Sequence, residues 1–126
     1  MKYIVINQNS EYDIKETSET LSLVDLQKLV DGYIEWVTID EVNSSGYYIN
    51  DEGKFTKGIN DLATAWWARK LKMSGFPLSQ FRDFIAGNAV YMQTNEEGED
   101  AGLTDEQIEE FRSFATIFYQ ELIDQL

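Results

Sequence analysis

The chain contains no cysteine and no histidine. Without cysteine there is no disulfide framework and no thiolate nucleophile or ligand. Without histidine the commonest general base is missing, so zinc hydrolases, papain-like mechanisms and serine-histidine triads are excluded together. Proline occurs once, at Pro77. No apolar run approaches the eighteen or so residues of a membrane span, and the four-residue run in "MKYIVINQNS" is too short for a secretory signal core and fits a first strand better. Neither phosphate-cradling glycine loop, G-x-x-x-x-G-K-[ST] or G-x-G-x-x-G, is present. Basic residues are also few, 10 against 23 acidic, for a net charge of -13. A surface of that sign repels nucleic acid. These absences lead to the expectation of a cytoplasmic protein that is not an enzyme, carries no cofactor or metal, and binds neither membrane nor nucleic acid directly.

What is present is enough for one domain spanning residues 1–126: the length fits a single core and 43% of the residues are apolar. "KYIVIN" (2–7) reads as a strand, and "EYDIKETSE" after it as a loop or irregular edge. Ser22 with Asp25 marks the start of a short helix whose apolar face is Leu23, Leu26, Leu29 and Val30, with Gly32 placed for a left-handed cap. "YIEWVTI" (33–39) alternates as a strand, "YYIN" is a second, and "KFT" (54–56) is expected to be its return. Asn60 caps a helix reaching Leu71, and a strand is expected from Asn88 to Gln93. In that helix the adjacent Trp66 and Trp67 point about 100° apart, so a narrow core cannot bury both equally. The last helix is the best specified. Thr104 and Gln107 form a capping box, Leu103 and Ile108 a hydrophobic staple, and Ile108, Phe111, Ala115, Phe118 and Leu122, joined by Phe114, an apolar stripe. The elements sum to an α+β domain, a mainly antiparallel sheet of about four strands with about three helices packed on it.

Two stretches resemble each other, "YINDEGKFT" (48–56) and "TNEEGEDAG" (94–102). A calcium loop places glycine sixth and a bidentate glutamate twelfth; counted from Asn50 and from Asn95, both copies carry glycine fourth, so a strand-joining hairpin turn is the better expectation for each. Charge is polarised along the chain. Residues 54–82 hold six basic residues and one acid, whereas residues 95–126 hold ten acids and one arginine.

Five fragments carry a resemblance: "GYIE" (32–35), "YINDEGK" (48–54), Gly58, Asn60, Ala63 and Thr64 in the pattern G-x-N-x-x-AT, "GNAV" (87–90) and "GLT" (102–104). They run in order across about 70 residues and resemble a family of small uncharacterised domains common in bacteriophages, plasmids and other mobile elements. Asp31 departs from the pattern, standing where members often carry a second glycine. The resemblance brings no catalytic residues; what it implies is an accessory factor that acts by binding. Two functions are expected to compete. The first is a modulator or inhibitor that engages a basic surface of a host nucleic-acid-handling or defence protein through Glu96, Glu97, Glu99, Asp100, Asp105, Glu106, Glu109 and Glu110, since carboxylates along a helix edge can imitate a phosphate row. The second is a small-molecule module, for a nucleotide-type ligand, using Trp66, Trp67, Arg69 and Lys70 for stacking and charge.

Overall fold

A computed structural model describes all 126 residues. The strands are β1 (Lys2–Ile6), β2 (Tyr12–Glu16), β3 (Ile34–Asp40), β4 (Ser45–Asn50), β5 (Ala89–Thr94) and β6 (Asp100–Ala101). The helices are α1 (Leu23–Val30), α2 (Gly53–Thr56), α3 (Asp61–Met73) and α4 (Asp105–Asp124), with one 3₁₀ turn at Leu78–Gln80. The class is α+β, with more strands and helices than the four and three expected. All pairings are antiparallel, in the order β2-β1-β5-β4-β3, and β6 pairs with the end of β5. β5 is therefore central, although it comes fifth in the chain.

Strand alternation sorts side chains onto two faces. Ile4, Ile6, Tyr47, Ile49, Ala89 and Tyr91 point to one, where α3 and α4 cover them with Leu62, Trp66, Ile108, Phe111 and Ala115. Tyr3, Val5, Val90 and Met92 point to the other, where the eight-residue α1 supplies Leu26 and Val30. The sheet is thus sandwiched, two long helices on one side and a short one on the other.

The expected caps form. Ser22 and Asp25 make a capping box on α1, as do Thr104 and Gln107 on α4, and Leu103 and Ile108 are both buried beneath the latter. Asn60 accepts from the Ala63 N–H to cap α3, which ends at Met73, two residues beyond Leu71. Three expectations are corrected. The polar "EYDIKETSE" contains a regular edge strand, because Tyr12 and Ile14 pack onto the core while Asp13, Lys15 and Glu16 face solvent. At the end of α1 the left-handed position is taken by Asp31 (φ 58°), one residue before Gly32. And "KFT" is the short helix α2, with no strand returning beside β4.

The third correction separates the two similar stretches. In the second, the Asn95 N–H donates to Glu99 and the Gly98 N–H to Asn95, Gly98 has a φ of +77°, and a β5–β6 hairpin results as expected. In the first, the Asn50 carboxamide oxygen accepts from the Glu52 N–H and the chain turns into α2. Gly53 is needed there for closeness: a Cβ would lie 2.9 Å from the Ala86 carbonyl oxygen.

Asn60 does more than cap. Fully buried, it donates through Nδ2 to the carbonyls of Ile6 (3.0 Å) and Gly87 (2.9 Å), while its own N–H donates to Ile85 (2.8 Å). One side chain joins the end of β1, the approach to β5 and the start of α3. Asn60→Ala strands two buried carbonyls and removes a cap, and is expected to lower unfolding free energy by about 3 kcal/mol in urea titration. Asn60→Asp keeps the cap acceptor but loses both donors; a near-neutral result for it would refute the joining role.

Candidate functional site

The apolar stripe of α4 turns one edge onto the sheet and the other toward α3. The two helices touch where the Trp66 ring meets Phe111 (5.5 Å between centroids) and Phe114 (5.1 Å). Outside that contact they leave a groove of about 670 Å³. Trp66, Phe114 and Phe118 form its floor, while Met73 and Ile117, both more than half exposed, form its apolar shoulders. Its polar lining is Glu106, Glu109, Glu110 and Glu121 from α4, Arg69 from α3 and the Ser113 hydroxyl. Four carboxylates against one guanidinium attract cationic groups and repel phosphate.

A family model for a domain of unknown function, DUF3846, matches residues 1–116. The chain belongs to the DUF3846 family. No curated protein and no solved structure matches it. The family match stops inside α4, so Ile117, Phe118 and Glu121, which close the outer end of the groove, lie beyond it.

Of the eight carboxylates expected to act together in this DUF3846 domain, the groove collects three, Glu106, Glu109 and Glu110. Glu96, Glu97 and Glu99 are exposed on the β5–β6 hairpin, outside the groove. Asp100 accepts a hydrogen bond from the Tyr48 hydroxyl (2.7 Å), and Asp105 is held by Lys2 (2.8 Å). Glu109 pairs with Arg112 and Glu110 with Lys70, leaving Glu106 and Glu121 as the groove's carboxylates without a basic partner. Nowhere do three carboxylates converge closely enough to hold a metal ion, and no helix is long and apolar enough to cross a membrane. Glu121 was not singled out from sequence, although 106, 110, 113, 117 and 121 step by three and four along one helical face.

The alternative set disperses. Trp66 is 2% exposed, and Trp67 is half-buried with its ring edge-on to Phe81, so the stacking platform expected of an exposed tryptophan is absent at Trp66. Trp67 lines a separate cavity of about 350 Å³ with Lys54, Phe55 and Phe84. Lys70, expected to present charge, is buried. Its ammonium lies 3.2 Å from Glu110, 3.6 Å from Asp40 and 5.0 Å from the centre of the Trp66 ring. Beneath it, burial pushes the Tyr91 phenol up, opposed by the adjacent Trp66 indole and Ser45 hydroxyl and by the Lys70 charge. Neither Trp66 Nε1 nor Ser45 Oγ makes a hydrogen bond of ordinary geometry. Lys70 thus bridges Asp40 at the end of β3 and Glu110 on α4.

Lys70→Met leaves Asp40, only 12% exposed, without its cation and should cost about 2 kcal/mol, whereas Glu110→Gln, at an exposed partner, should cost under about 1 kcal/mol; equal losses in denaturant titration would contradict this ordering. Burial pushes the Tyr47 phenol up, as it does Tyr48 and Tyr91, with the Asp100 hydrogen bond and charge adding to the shift at Tyr48. A phenol with a raised folded pKa stabilises the fold fully below its unfolded value of about 10 and loses that contribution as pH rises further. Thermal stability should therefore fall steeply above about pH 10, with the tyrosinate absorbance of these residues appearing only as the protein unfolds.

Proposed function

We propose that this DUF3846 domain is a non-enzymatic binding protein that captures a basic surface of another protein through the first half of α4. The observation that carries the reading is the groove rim: Glu106 and Glu109 stand exposed toward one end of an apolar floor and Glu121 toward the other, with Arg69 the one opposing charge among the lining residues. The hairpin acids Glu96, Glu97 and Glu99 add to the negative field without joining the contact. In this reading the partner is a host nucleic-acid-handling or defence protein in the cytoplasm, whose phosphate-binding arginines and lysines would accept a row of carboxylates instead. The phage or mobile-element setting rests on the sequence resemblance, and the genes beside this one test it directly.

The nucleotide-type alternative has less support from the geometry. Its four residues divide between two cavities and the protein interior, and the larger cavity has the wrong sign for a phosphate.

The choice of variant matters, because Glu110 also holds Lys70 and its reversal would disturb the fold. Glu106→Lys with Glu109→Lys alters exposed positions alone. In pull-downs from host lysate at low salt, the wild-type chain should enrich a protein with a basic surface, the double variant should lose it, and raised salt should release it, since exposed charges are screened within about 8 Å at physiological ionic strength. Capture unaffected by both the reversal and salt would overturn the reading.

A further inference from the structure

We propose that the groove between α3 and α4 receives a cationic amphipathic helix of the partner protein, its apolar side on Met73, Phe114 and Ile117 and its lysines or arginines against the glutamate rim. The inference rests on the reading that the α4 acids form the binding surface, and adds the shape of what binds there.

Three observations specify the occupant. The first is length. Glu106 and Glu121 stand fifteen positions apart on one α-helix, roughly 22 Å at 1.5 Å per residue, or about four turns of a helix lying alongside. The second is the double character of the lining. A flat basic surface would satisfy the glutamates but leave Met73 and Ile117, exposed by 62% and 57%, in water, whereas an amphipathic helix meets both along one strip. The third is sign. A second copy of this chain laid helix against helix would bring the same glutamates face to face, and nucleic acid would meet four carboxylates, so neither fits.

The probe is a pair of designed peptides of one composition, leucine and lysine in about sixteen residues, one ordered to form an amphipathic helix and the other with the same residues scrambled. Binding to the full chain is measured by calorimetry at low salt. The amphipathic peptide should bind at least about tenfold more tightly than its isomer. Met73→Glu and Ile117→Glu, both at exposed positions, should erase that difference while leaving the thermal transition unchanged. Glu106→Lys with Glu109→Lys should weaken both peptides. If the isomers bind equally, or if their difference survives Met73→Glu and Ile117→Glu, the groove is not the receptor and only the acidic surface remains. If neither peptide binds, the groove and the acidic-surface reading fall together.

Discussion

The carboxamide of Asn60 is the joint on which the other elements depend. β1, α3 and the segment entering β5 are distant in sequence, and each reaches this point with a backbone group that needs a partner. An amide that donates twice and accepts once satisfies three such groups at zero exposure. Nearby, Asn50 donates to the carbonyls of Val30 and Asp31 at the end of α1, and Asn88 donates to Leu29 while accepting from the Gln8 N–H. The three asparagines therefore hold both helical layers to the same end of the sheet. Asparagine suits the task because it carries donor and acceptor on one short, uncharged side chain, so it can be buried without the desolvation cost of a carboxylate.

This arrangement gives the family-like fragments a physical meaning. "YINDEGK" contributes Asn50 and the close-packed Gly53, G-x-N contributes Asn60, and "GNAV" contributes Gly87, with a φ of +78°, and Asn88. The segments that carry the kinship are joints of the frame. The groove draws on none of those asparagines and glycines, and its outer end lies past the family match. The resembling fragments accordingly describe the scaffold, and the groove between α3 and α4 is built from other residues.

Local signals in the sequence were readable where a single segment decides its own conformation. Both capping boxes, the α3 cap and the β5–β6 hairpin depend on residues within a few positions of each other. The miss at "KFT" had a tertiary cause: Asn50 turned the chain by bonding to α1, and Gly53 met Ala86 from the strand-entry segment. Asp31 replaced glycine in the left-handed cap, which a short polar side chain tolerates, and Lys57 then paired with its carboxylate, lowering that group's pKa. At the site, the acidic character of α4 was legible, but the division of labour was not. Which glutamate faces Lys70 and which faces solvent is settled by the crossing of α3 over β3 and α4, as is the burial of Trp66 and Lys70 in preference to Trp67 and Arg69.

The central place of β5 also shapes how the molecule must be made. A ribosome releases the β1–β2 and β3–β4 hairpins first, yet neither can join the other until β5 arrives to pair Ile4 with Tyr91 on one side and Tyr48 with Val90 on the other. Until then two strand edges stay unpaired, and closing them requires contacts across more than eighty residues on the β1 side. Closure of the sheet therefore waits for β5, which lies in the last third of the chain.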